Sequence, residues 1–229
     1  AAPHPAGAGP VLDAIRRAGH LRAAVDLSSP PMAFRDASGP RGFDIDLVTM
    51  VAQGLDVRAD ITDMPVAAMH EAFPRRADLA AGALSGGIVP GIATEPYTDV
   101  APVIVWGAKT PGSAAADLRG KRVVAAAGSP GEQLARGAGA VVVTTYLPEQ
   151  SLAMVAEGRV QAAVAGGPEA MGFVWGRTGL RTSVASGPDV PLVLVVRPGA
   201  DDLAVYVSDV VRELRANGGL DQLRRRWHL

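Results

Sequence analysis

The 229-residue chain predicts an α/β fold built on parallel sheets. Segments with helical apolar spacing alternate with short apolar runs along nearly its whole length, the pattern of strand–helix–strand units. Four of those runs, VIVW (103–106), VVAA (123–126), VVVT (141–144) and LVLVV (192–196), are continuously apolar or nearly so, as strands covered on both faces are. No long polar linker interrupts the alternation, so two domains, if present, must be joined through strands.

The elements follow in order. The first residues are Ala, Pro, Gly and one His, which reads as a mobile leader over 1–10. Val11–Ala18 is apolar at Val11, Leu12 and Ile15 and stops at Gly19, a short helix. Leu21–Val25 is a strand broken by Ser28-Ser29-Pro30-Pro31. Phe43–Ala52 sets Phe43, Leu47, Met50 and Val51 on one helical face. Leu55–Thr62 alternates as a strand, Val66–Phe73 is helical, and Leu79–Ala81 is a short buried strand. A second series runs through the strand Val103–Trp106, the loop Lys109–Ala114, the helical turn Ala115–Leu118 and the strand Arg122–Ala126. The helix Glu132–Ala138, strand Val141–Thr144, helix Pro148–Glu157, strand Val160–Ala165 and helix Glu169–Trp175 continue it. Leu192–Val196 is the last strand, and helices over Asp201–Ala216 and Leu220–Trp227 close the chain.

Composition removes several function classes. Lys and Arg total 22 against 23 Asp and Glu, so there is no cationic surplus to displace counterions from nucleic acid. With no Cys, disulfides, thiolate metal sites and a Cys nucleophile are absent. The uncharged stretch Leu79–Thr94 is 16 residues long and contains Pro90, short of the roughly 20 apolar residues of a membrane span. His4, His20, His70 and His228 are too dispersed for a local metal motif. No metal and no cofactor are expected. Gly137-Ala138-Gly139 lacks the third glycine of a dinucleotide loop, and no P-loop lysine exists.

The informative residues lie after strands, where open α/β sheets bind ligands. Asp26 follows the first strand and precedes Ser28, Ser29 and Phe34. Ser85 and Gly86 follow Leu79–Ala81, Ser129 follows Arg122–Ala126, and Glu169 follows Val160–Ala165. Ser129-Pro130-Gly131-Glu132 reads as a capping box, with Ser129 as N-cap and Glu132 at N3. The same helix start offers N–H groups to an anion, so Ser129 can be both cap and ligand donor.

Over Val11–Trp227 the chain resembles the extracytoplasmic solute-binding proteins of the polar amino-acid class. The resemblance is carried by VLDAIRRAGHLRAAVD, PPMAFRDASGPRGFDIDLV, TEPYTDVAPVIV, DLRGKRVVAAAGSPGEQL, LAMVAEGRVQAAVAGGPEA and LRANGGLDQLRRRW. It implies a two-lobe, type II periplasmic-binding-protein-like fold. Lobe 1 spans 11–103 plus 192–229 and lobe 2 spans 106–189, with crossover strands near Pro102–Gly107 and Asp189–Val195. It also implies hinge closure over a small-molecule ligand at Asp26, Ser28, Ser29, Phe34, Ser85, Gly86, Ser129 and Glu169. A monomeric periplasmic protein with its signal peptide removed, serving an ABC permease, follows from the same likeness.

The family's carboxylate-clamping Arg should fall within Leu84–Thr94, which reads LSGGIVPGIAT, and its ammonium-pairing Asp falls at Gly166. The family's aromatics align with Ser29 and Val66. Each hydrogen bond to a charged group contributes roughly 1.5–3 kcal/mol, so a free α-amino acid should bind poorly. GGIVPGIATEPY and the run Gly167–Phe173 resemble an accessory branch associated with quinoprotein methanol dehydrogenases, where a periplasmic dehydrogenase would be the partner. Glu169 stands near the general acid of the cyclohexadienyl dehydratases, although cationic carboxylate binders are missing; a non-enzyme is expected.

Overall fold

The computed structural model describes residues 7–146, 148–174, 177–185, 189–227 and 229, with every side chain among them except those at 148, 149, 168, 169 and 171. The first six residues of the expected leader lie outside that set. The chain forms two compact units, Ala1–Thr98 with Pro191–Leu229, and Asp99–Val190.

Unit 1 opens with α1 (Pro10–Ala18), β1 (His20–Val25), β2 (Ser28–Ser29), β3 (Ala33–Asp36), β4 (Gly39–Arg41) and α2 (Phe43–Gln53). It continues through β5 (Arg58–Asp63), α3 (Val66–Arg76), β6 (Leu79–Ala81) and β7 (Ile92–Ala93). The chain leaves along β8 (Thr98–Val100). Unit 2 then runs β9 (Pro102–Trp106), a 3-10 turn at Ala115–Leu118, β10 (Arg122–Ala126), α4 (Pro130–Gly137) and β11 (Val141–Thr145). It ends with α5 (Pro148–Ala156), β12 (Ala162–Gly166), α6 (Gly167–Val174) and β13 (Arg181–Val184). The return passes along β14 (Val190–Leu192), which pairs with β8, to β15 (Val195–Val196), α7 (Asp201–Ala216) and α8 (Gly219–Trp227).

Each unit has a five-stranded sheet, β5-β1-β6-β15-β7 in unit 1 and β11-β10-β12-β9-β13 in unit 2. Three neighbours are parallel in each: β1 with β5 and β6, and β10 with β11 and β12. Against the all-parallel expectation the sheets are mixed, because β15 is antiparallel to β6 and β9 to β12. The parallel strands are linked by helical crossovers, which preserve direction. Neither β9 nor β15 belongs to such a βαβ series.

The apolar runs behave as two-faced strands. In unit 2, Val103, Val105, Val124 and Ala163 pack in one core cluster with α5 residues Leu152 and Val155. Their neighbours Ile104, Trp106, Val123 and Val164 form the opposite cluster with Leu118 and Ala135. In unit 1, Ala24, Ala80 and Val195 face Met69 and Phe73 of α3.

Boundaries shift from the sequence expectation most at two strands. The strand foreseen from Leu55 begins at Arg58, because Leu55, Asp56 and Val57 donate back to the end of α2 and Asp56 adopts φ 56°. Aspartate tolerates that left-handed conformation. The run Leu192–Val196 is not one strand: Leu192 belongs to β14 and Val195–Val196 to β15, so it serves two sheets in turn. The break read after β1 is present, with Ser28–Ser29 of that stretch forming β2 of the three-stranded sheet β2-β3-β4.

Candidate functional site

In unit 1, β1 and β6 run side by side and end together, at Val25 and Ala81. Asp26 follows β1 and is 4 % exposed. Its Oδ1 accepts from the Ser28 amide (3.0 Å) and hydroxyl (2.6 Å), while Oδ2 accepts from the Val66 amide at the start of α3 (2.9 Å). Pro65 gives that helix no side-chain cap, so Asp26 caps α3 from another strand end. Both its oxygens are engaged within the unit. Ser28 is exposed and Ser29 buried, paired in β2 against Phe34 and Ala33 of β3. Phe34 is half-buried and meets Trp227 of α8 edge-on, with ring centroids 5.8 Å apart.

The turn after β6 carries Ser85 and Gly86. Ser85 is half-buried and bridges Leu192, Gly86 is exposed, and the Val193 amide donates to the Leu84 carbonyl (2.9 Å). The turn begins with Gly82 at φ 116° and Ala83 at φ 58°. A Cβ on Gly82 would stand 2.8 Å from the Asp26 backbone nitrogen and oxygen, so only glycine fits this close approach.

Asp44, which sequence reasoning did not single out, holds the turn from the core. It sits in the first turn of α2, is 0 % exposed, and its Oδ2 accepts from the amides of Gly82 (3.0 Å) and Ala83 (2.8 Å). Burial pushes its pKa up, opposed by these bonds and by the nearby Tyr97 hydroxyl. Burial, followed by the Asp44 charge, raises the Tyr97 pKa well above its ordinary value. The two groups interact electrostatically, yet Asp44 Oδ1 and the Tyr97 hydroxyl are both buried without a hydrogen bond of normal geometry. A signal was present in the sequence: Asp44 shares the helix face of Leu47, Val48 and Val51, all buried.

In unit 2 the helix start after β10 is as foreseen, with one shift. The Ser129 hydroxyl accepts from the Glu132 amide (3.2 Å), but the Glu132 carboxylate reaches back to the Gly128 amide (2.7 Å), one residue before the N-cap. The Ser129 amide is already used by the Ala126 carbonyl. The Gly128 bond, then Arg136, lowers the Glu132 pKa. Tyr146, 93 % exposed, follows β11 directly, and the Ala127 amide donates to the Thr145 carbonyl beside it. Glu169 lies in the first turn of α6, after β12; its side chain is outside the described residues. Thus Asp26 and Ser28 bond directly, and Ser29 and Phe34 share their small sheet. Ser85 and Gly86 lie on the neighbouring strand end, while Ser129 and Glu169 follow the adjacent strands β10 and β12.

A hollow of about 550 Å³ lies against α2 and the segment Asp56–Ile61, lined also by Thr49 and Gln53. None of the eight candidates lines it. Among the described residues no group of His, Asp and Glu is disposed to hold a metal, and no helix is long and apolar enough to cross a membrane.

Residues 21–86 match the family model of bacterial extracellular solute-binding proteins, family 3. Over that segment the chain is similar to this family. It is 24 % identical over 228 residues to a probable amino-acid ABC transporter-binding protein of Haemophilus influenzae, covering 96 % of this chain and 89 % of that one. A mutant of ArgBP from T. maritima matches at TM-score 0.73 with 25 % identity, over 96 % of this chain and 99 % of its own. An ancestral amino-acid-binding protein described as a precursor of cyclohexadienyl dehydratase matches in fold at TM-score 0.71 and 23 % identity, over 95 % and 99 % of the two chains. These neighbours have type II periplasmic-binding-protein architecture, and this chain shares their fold.

Proposed function

We propose that this chain is a family 3, non-enzymatic periplasmic binding protein that captures a small ligand for an ABC importer by closure of its two units. The ligand lacks an α-amino-carboxylate headgroup. One observation carries this specificity. The residues that immediately follow the parallel strands, Asp26–Ser29 after β1, Met64–Pro65 after β5, Gly82–Val89 after β6, Ala127–Gly131 after β10, Tyr146 after β11 and Gly167 after β12, include no Arg or Lys. An anionic headgroup would find backbone amides and hydroxyls but no guanidinium to hold it bidentately. Asp26 is occupied by Ser28 and α3 and is not a free counter-charge for an ammonium group.

Calorimetry with arginine, glutamine and glutamate tests the reading. The expected affinities are millimolar or weaker, about −4 kcal/mol of binding free energy. Micromolar binding of any of the three would overturn it. A broad thermal-shift screen then identifies the ligand class, since a molecule that binds only the folded state raises Tm. A screen without a hit would favour the accessory reading drawn from GGIVPGIATEPY.

A further inference from the structure

The segment Gly82–Tyr97 leaves β6, presents Ser85 and Gly86, pairs through β7 and returns to the start of β8. At its near end Asp44 Oδ2 accepts from the amides of Gly82 and Ala83, while at its far end the Tyr97 hydroxyl is buried without a hydrogen bond. Tyr97 is fixed in turn by its amide, which donates to the Leu192 carbonyl (3.0 Å), and by stacking on Phe43, the residue before Asp44 (5.5 Å between centroids). Ala83 is a non-glycine residue held at φ 58°, a conformation that persists only where its surroundings impose it.

We propose that Asp44 is a positioning residue for the ligand loop: it holds the start of Gly82–Tyr97 through the Gly82 and Ala83 amides from inside unit 1 and so sets where Ser85 and Gly86 are presented. This rests on the reading of Ser85 and Gly86 as ligand contacts, but the placement is testable without any ligand. Shape alone does not account for a carboxylate here. Its position beside the first turn of α2 and its two amide donors all favour an acceptor at the Oδ2 location, and among the described residues no cation forms an ion pair with it.

Hydrogen exchange of the unliganded protein, resolved to short peptides, provides the test. In Asp44→Ala the amides of 82–88 should exchange at least tenfold faster, while β1 and α3 keep their protection. Asp44→Asn, which retains an acceptor in place, should return the loop to within about threefold of the parent. Asp44→Glu keeps the charge but moves the oxygens by one methylene and should loosen the loop as Ala does. If Asp44→Ala does not fold, the Asn and Glu variants alone decide. Equal acceleration throughout unit 1, no acceleration at 82–88, or an unprotected Asn loop would overturn the proposal. Failure of the ligand reading would appear separately, as tight amino-acid binding in calorimetry.

Discussion

Three residues, Leu79–Ala81, separate two buried aspartate-held ends of one strand, and the two ends are built on opposite principles. At the amino end Asp78, 4 % exposed, receives the Arg22 guanidinium through both oxygens (3.1 and 2.8 Å) and Arg197 Nε (3.3 Å). The Arg197 amide also donates to the Asp78 carbonyl, so β1, β6 and β15 are tied there by charge as well as by backbone. At the carboxyl end Asp44 is equally buried but receives two amides and no cation. Burial pushes both pKa values up. The bonds and charge of Arg22 overcome it at Asp78 and hold that carboxyl below its ordinary value, whereas at Asp44 burial prevails. The fold concentrates arginine at the structural end of the strand. At the other end, among the described residues, no cation pairs with Asp44.

The largest expected effect comes from breaking the arginine end. Removing one member of a buried ion pair costs roughly 3–5 kcal/mol when its partner stays buried. Arg22 is 43 % and Arg197 29 % exposed, so each can turn partly to water. Asp78→Ala should accordingly destabilise unit 1 by about 2–3 kcal/mol in urea unfolding. A loss below about 1 kcal/mol would mean that the backbone ladder, not the triad, holds this end.

The second prediction turns the comparison into opposite pH slopes. A lowered folded-state pKa, as at Asp78, gives stability that is full above the unfolded value of about 3.9 and lost as pH falls through the folded value. A raised one, as at Asp44, gives a penalty at neutral pH that is relieved as pH falls through the folded value toward about 3.9. Relative to Asp78→Asn, the parent should lose its advantage below about pH 4. Relative to Asp44→Asn, it should gain as pH falls through the raised folded value toward about 3.9. Parallel curves for the two pairs would remove the electrostatic distinction between the ends.

Much of the architecture is legible in the sequence because it rests on local signals. The apolar runs at β9, β10 and β12 and the glycine stops after α1 and α5 follow from spacing and from turn chemistry. Strand direction is not local: β9 and β15 pair antiparallel because of where the chain enters each sheet. The site divides in the same way. Ser129 is read correctly as an N-cap, because the cap and its partner are three residues apart. Asp26 reads as an open carboxylate, yet the amide that fills its second oxygen belongs to Val66, forty residues onward. Asp44 was hidden by its own motif, since an acidic residue in the first turn of a helix is ordinarily a solvated, dipole-compatible choice. Only tertiary packing turns it inward.

The smallest effect is expected at the matching strand end of unit 2, where β10 is followed by a capped helix instead of a carboxylate-held turn. The Ser129 hydroxyl satisfies one amide of α4, and the Glu132 carboxylate accepts from the Gly128 amide just before the cap. Loss of an N-cap oxygen costs about 1 kcal/mol when replaced by Ala and only a few tenths by Gly, whose bare backbone admits water to the same amide. Ser129→Ala should therefore destabilise unit 2 by about 1 kcal/mol and Ser129→Gly by less, with exchange rising at the first turn of α4 and not at β12. The Ser129 hydroxyl proton is not required by the cap, which uses the oxygen as an acceptor, and so stays available to a ligand. Thr substitution separates the two roles: Ser129→Thr keeps the acceptor and should hold stability near the parent. If Ser129→Thr is as unstable as Ser129→Ala, cap geometry at this strand end is too tight to serve a ligand as well. Ser129 would then act as a helix cap alone.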